Sequence, residues 1–142
     1  MHAKHVIGID RSPAMLSGAR CLQVASQFVV ADARELPFAD ASVDMVFVSY
    51  LLHLLRSDER RQVLEATSRV LRPRGRIVTI TVDTPGAIPR WLLSLLPRWT
   101  GLHPLDPRTE LQRAGLHPQQ AQYTSTGWPS LVVLATPRPR VV

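Results

Sequence analysis

Val6-Ile7-Gly8-Ile9-Asp10-Arg11-Ser12-Pro13-Ala14-Met15-Leu16 is the stretch whose reading decides the fold. A short apolar run closing on a carboxylate predicts a strand covered on both faces of a parallel sheet. Ser12 suits an N-cap and Pro13 the first helical position, so a helix is predicted from about Ser12 to Val24. Met15, Leu16, Ala19 and Leu22 would form its apolar stripe. The device then repeats, with a strand over Gln27–Ala31 that runs into Asp32. Carboxylates at the carboxyl ends of neighbouring parallel strands line the crevice where open α/β sheets bind nucleotides.

Working outward, Glu35-Leu36-Pro37-Phe38-Ala39-Asp40-Ala41-Ser42 reads as a loop broken by Pro37, and Val43–Ser49 as a third apolar strand. Tyr50–Leu55 is predicted as a loop or a helical turn. A helix opens at Ser57-Asp58-Glu59-Arg60, where the acids suit the helix dipole, and buries Val63, Leu64, Ala66, Thr67, Val70 and Leu71. Pro73 and Gly75 stop it. Arg76-Ile77-Val78-Thr79-Ile80-Thr81-Val82 is the plainest strand, β-branched at most positions. A short helix over Pro107–Ala114 ends at Gly115. Strands over about Gln120–Ser125 and Ser130–Ala135 flank Thr126-Gly127-Trp128-Pro129, the signal of an antiparallel hairpin. The expected fold class is α/β, a Rossmann-like, doubly wound, mostly parallel sheet closed by a C-terminal antiparallel hairpin. One domain is expected over 1–136, with an insert at 84–107 and a frayed tail at 137–142.

Composition narrows the function classes. The 142 residues are 45% hydrophobic and 20% charged, within the ordinary globular range. No run of eighteen apolar residues exists, and Met1-His2-Ala3-Lys4-His5 does not resemble a signal peptide, so a cytoplasmic protein is expected. The single cysteine, Cys21, excludes an internal disulfide and a multi-cysteine metal centre, and reads as a helix residue packed on the sheet. No metal is expected. Residues 1–71 carry eight basic and eight acidic side chains, whereas 72–142 carry nine and three, which places the net charge of +6 in the second half. Those bases are scattered, so nucleic acid is not an expected partner.

Three stretches, in order and spacing, resemble successive motifs of class I S-adenosylmethionine-dependent methyltransferases. They are the opening one, Val30-Ala31-Asp32-Ala33-Arg34-Glu35-Leu36-Pro37-Phe38-Ala39-Asp40-Ala41-Ser42-Val43-Asp44, and Val70-Leu71-Arg72-Pro73-Arg74-Gly75-Arg76-Ile77-Val78. The chain is most similar to the small-molecule, type 11 subgroup that includes ubiquinone and menaquinone biosynthesis enzymes, over residues 5–82. The resemblance implies S-adenosylmethionine as cofactor. Asp10 would accept hydrogen bonds from the two ribose hydroxyls, with Arg11 beside it among the cofactor-binding residues. Asp32 would take the adenine amino group, the Ala33 N–H a ring nitrogen, and Met15 the adenine face. Ser49 would border the methyl-transfer site, and His53 would take a proton from a substrate hydroxyl or carbon acid. Arg74 stands where the family has the first of two glycines, an alteration of the turn and not of the fold.

The family's sheet opens on a glycine-rich strand–turn–helix that these residues do not show. Either Val43–Ser49 closes up against Val6–Asp10, or the chain is a truncated version of a longer enzyme; the second is the expectation. A truncated chain, with Asp10 and Asp32 holding only the adenosine end, would bind the cofactor weakly or not at all.

Ala87-Ile88-Pro89-Arg90-Trp91-Leu92-Leu93-Ser94-Leu95-Leu96-Pro97-Arg98-Trp99 predicts a lid or apolar contact surface, with Trp91 and Trp99 touching a small, lipophilic substrate or a membrane surface. Base-methylating enzymes are disfavoured, because Ser49-Tyr50-Leu51-Leu52 replaces their Asn/Asp-Pro-Pro-Tyr. Two other functions stay open: a non-catalytic methyltransferase-like partner subunit, and an NAD-dependent oxidoreductase. The latter needs an upstream G-x-G-x-x-G and does not explain Asp32. Oligomeric state is not legible.

Overall fold

The computed structural model describes residues 5–22, 27–82, 105–124 and 129–137. The chain divides into two compact units, residues 1–37 and 38–142. In the first, strand β1 (Ile7–Asp10) leads into helix α1 (Pro13–Cys21) and returns as strand β2 (Gln27–Val30). β1 and β2 pair in parallel, from Ile7 opposite Gln27 to Asp10 opposite Val30. Ser12 caps α1, its side chain accepting from the Met15 N–H at 3.4 Å, with Pro13 at the start as the sequence requires. The expected apolar stripe is mostly not buried. Leu16 is, but Met15 is 66% and Leu22 72% exposed, and Cys21 is exposed too. Nor is β1 covered on both faces, since Val6 and Ile7 are exposed. Among the described residues β1 has one strand neighbour, and an apolar pattern reports what a strand can bury rather than what surrounds it.

The second unit holds strand β3 (Val43–Ser49), a single 3-10 turn (Leu52–Leu54), helix α2 (Ser57–Val70), strand β4 (Leu71–Val82), helix α3 (Pro107–Arg113), strand β5 (Leu116–Thr124) and strand β6 (Ser130–Pro137). The sheet order is β3-β4-β6-β5. β3 runs parallel to β4, whereas β6 is antiparallel to both β4 and β5. The expected terminal hairpin is thus present, its outgoing strand starting at Leu116 rather than Gln120. The described strands form two sheets, and β3 pairs with β4, not with β1.

α2 begins one residue earlier than a Ser57 cap would place it. Arg56 is the N-cap, and its N–H is taken by the Glu59 carboxylate at 3.1 Å. Its buried face is the one its spacing predicts: Val63, Leu64, Ala66, Thr67 and Val70. They pack with Leu52, Ile77, Leu111, Leu116, Leu131 and Val133 into the core of the unit. Beside this core Arg60 meets Glu110 of α3 at 3.4 Å and donates to the Leu55 carbonyl at 2.9 Å. α2 passes directly into β4 at Leu71, and the bend over Leu71–Arg76 needs Gly75. A Cβ there would lie 2.9 Å from Leu71 Cδ2 and 3.0 Å from the Arg72 carbonyl oxygen. Arg74 is exposed and has no positive φ, so the glycine it replaces is not demanded by the backbone.

Candidate functional site

Both strand-end carboxylates of the first unit are half-buried, and their surroundings differ. Asp10 Oδ1 accepts the Ser12 N–H at 2.8 Å, which fixes the side chain at the turn from β1 into α1. Its other oxygen has no partner among the described residues, so a carboxylate of fixed orientation keeps one oxygen open. Asp32 is saturated instead. Its Oδ1 accepts the Arg34 backbone N–H at 2.9 Å and Nε at 3.0 Å, while Oδ2 accepts Nε at 3.1 Å and Nη2 at 2.7 Å. Arg11 approaches Oδ2 to 3.8 Å. These contacts, the side-chain hydrogen bonds of Arg34 above all, lower the carboxyl to about 2. A carboxylate offers about four lone-pair sites, and three N–H groups of Arg34, the Nε one shared, engage both oxygens. The Ala33 N–H has no partner among the described residues, and the Met15 side chain is exposed. The adenosine end of S-adenosylmethionine therefore fits Asp10, Ala33 and Met15 as they stand. It fits Asp32 only once Arg34 has moved. Sequence reasoning missed Arg34, though an arginine two residues beyond an aspartate at a strand end was the available signal.

The second unit gathers different groups at the carboxyl end of β3. Ser49 is exposed, and Tyr50 follows it with φ of 51°, a left-handed conformation that costs an aromatic residue about 1–3 kcal/mol. Two bonds hold it there: the Tyr50 N–H donates to the Ile80 carbonyl at 2.8 Å, and the phenol lies 3.0 Å from Ser130 Oγ. Its ring meets that of His53 edge to face, with centroids 6.2 Å apart. His53 is 7% exposed, and burial pushes its imidazole below the ordinary range, so the ring is neutral at pH 7. Nδ1 is sealed from solvent without a hydrogen-bond partner. No sequence signal announced Tyr50 or Ser130. Trp91 and Trp99, with the whole stretch 83–104, lie outside the described residues. Among the described residues no cluster could hold a metal ion, and no helix is long and apolar enough to cross a membrane.

Asp10 stands at the carboxyl end of β1, the end of the strands at which α/β sheets bind nucleotides. The chain belongs to the methyltransferase domain family, class I and type 11, whose model matches residues 1–79. The cofactor of that family is S-adenosylmethionine. The chain is 36% identical over 91 residues to an arsenite methyltransferase of Halobacterium salinarum, covering 60% of this chain and 22% of that one. It is 35% identical over 80 residues to a demethylmenaquinone methyltransferase of Thermotoga maritima, covering 56% and 34%. The matches thus span about a fifth to a third of these relatives' lengths. In structure it resembles a Burkholderia thailandensis 1,6-didemethyltoxoflavin-N1-methyltransferase that holds S-adenosylhomocysteine. There the TM-score is 0.66 at 18% identity, over 94% of this chain and 61% of that one. The Rossmann-like fold expected from the sequence is the fold of these neighbours.

Proposed function

We propose that the protein serves S-adenosylmethionine-dependent methyl transfer to a small, lipophilic molecule. One observation carries this reading: Asp10 is held by the Ser12 N–H at 2.8 Å with its second oxygen open at the end of β1. That oxygen would receive the ribose hydroxyls, the Ala33 N–H would meet the adenine ring, and Met15 would cover its face. Arg11 would stay paired with Asp32 at the rim. Ser49 and His53 would serve the substrate side. When bound, the cofactor supplies an electrophilic methyl group, which leaves S-adenosylhomocysteine and a proton behind. The demethylmenaquinone methyltransferase among the relatives supports a lipophilic acceptor. The arsenite methyltransferase among the relatives points to a different substrate.

The test is amide chemical-shift mapping with S-adenosylhomocysteine, followed by transfer of labelled methyl from S-adenosylmethionine to a 1,4-naphthoquinol. Shifts at Ser12 and Ala33 are expected, and Asp10→Ala should weaken binding by about 1–3 kcal/mol, the scale of charge-assisted hydrogen bonds. Equal affinity in that variant removes Asp10 from the site. Binding without label in the organic extract would favour a non-catalytic partner subunit.

A further inference from the structure

We infer that His53 is a fixed hydrogen-bond donor, presenting Nε2–H at the carboxyl end of β3 to a carbonyl oxygen of the ligand, and is not a proton acceptor. This rests on the lipophilic-substrate reading above and names the chemistry of its contact. A neutral imidazole carries its proton on one nitrogen and a lone pair on the other. Among the described residues neither nitrogen of His53 has a hydrogen-bond partner, and Nδ1 alone of the two is sealed from solvent. The small exposed part of the residue therefore includes Nε2. A general base at this place needs a bare Nε2, which puts the proton on Nδ1 and buries an N–H with nothing to receive it. Orphaned buried N–H groups are the rarest kind of unsatisfied polar group, and each costs about 1–3 kcal/mol. Placing the proton on Nε2 avoids this, since that N–H reaches water or a ligand. It is also the intrinsic preference of an imidazole substituted beside Nδ1.

The ring cannot easily turn over, which would exchange Nδ1 with Cδ2 and Nε2 with Cε1. The Tyr50 ring lies against it edge to face, and Tyr50 is itself tied to Ser130 by the phenol and to Ile80 by its backbone. Tyr50 is thus a positioning residue for His53. The outcome is a neutral donor in a nearly dry setting, matched to a carbonyl oxygen of an acceptor whose methylated atom lies elsewhere, rather than to a hydroxyl that must lose its proton.

Long-range nitrogen–proton correlation spectra of the whole chain, first with no ligand, test this. A pyridine-like Nδ1 and a pyrrole-like Nε2 are expected at His53. Addition of 1,4-naphthoquinone should move the Nε2 resonance and leave Nδ1 in place. Naphthoquinone binding should weaken about fivefold in His53→Phe, the scale of one neutral hydrogen bond, and stay within about twofold in His53→Gln, which keeps a donor. A reversed nitrogen assignment overturns the donor, and it needs neither a variant nor cofactor. A standing assignment with naphthoquinone unbound, or bound without moving Nε2, overturns the carbonyl contact. The methyl-transfer reading itself then still stands or falls on the labelled-methyl experiment.

Discussion

Asp32 and Arg34 pose a conflict between stability and binding within three residues. The guanidinium holds the carboxyl at about 2, so the native state releases that proton more readily than the unfolded chain, whose carboxyl titrates near 3.9. The unfolded state then binds more protons over that interval, and stability from this pair is complete above about pH 4 and lost as pH falls toward 2. His53 has the same sign in a higher window. Its folded value is depressed by burial, so stability starts to fall once pH drops below the ordinary imidazole value near 6.5. Acid unfolding should thus show two components, the lower abolished by Asp32→Asn and the upper by His53→Phe. A single transition unchanged by either variant would refute the assignment. Arg34→Ala should shrink the lower component as well, yet leave Asp32 only the backbone N–H of residue 34 on Oδ1 and so open Oδ2 to an adenine amino group. We expect S-adenosylhomocysteine to bind several-fold tighter in Arg34→Ala, as calorimetry would show. Weaker binding would mean that Arg34 itself touches the ligand.

At the scale of elements, two contacts in the second unit define what the helices and the bend can tolerate. Arg60 and Glu110 join α2 to α3 with side chains only 7% and 11% exposed. Removing one partner strands a buried charge, so Glu110→Ala should cost about 3 kcal/mol in denaturant unfolding, whereas the double change Arg60→Met with Glu110→Leu should come out near neutral. Gly75→Ala places a methyl group against the Arg72 backbone, which cannot swing aside, and should cost about 1–3 kcal/mol. A neutral Gly75→Ala would show that the bend can widen. Elements were legible wherever a local rule had no rival: Ser12 and Pro13 start α1, and the spacing of Val63, Leu64, Ala66, Thr67 and Val70 gives α2 its inner face. The start of β4 was not, because Pro73 and Gly75 punctuate a sequence as a loop even where flanking residues rejoin a ladder. Nor was the candidate site wholly legible. Asp10 and Asp32 stood out, but the saturation of one and the half-open state of the other depend on where Arg34 and Ser12 N–H point. Tyr50 carries a backbone conformation that no aromatic residue advertises.

At the scale of the molecule, the two units differ in what they bury. Among the described residues of the first, Leu16 is the one buried apolar side chain, whereas the second encloses most of the large apolar side chains. A unit of 37 residues is below the size at which a core sustains itself. Native-state hydrogen exchange should therefore find β1 and β2 opening at lower free energy than β4 and β6, so that Gly8 and Val29 exchange well before Thr79 and Val133. Equal protection across both pairs would show that the chain unfolds as one body.

The position of β6 between β4 and β5 has a consequence for the nascent chain. The strand that joins the sheet together is made after both of the strands it joins. While residues 116–124 leave the ribosome, β5 has no partner to accept its backbone groups, and β4 is paired on one side only. Closing β4 onto β6 brings together Ile80 and Val132, and such distant pairings make for slow folding. For that interval the chain exposes two unpaired strand edges, that of β4 apolar, and crowded translation, rather than the mature protein, is where this fold risks aggregating.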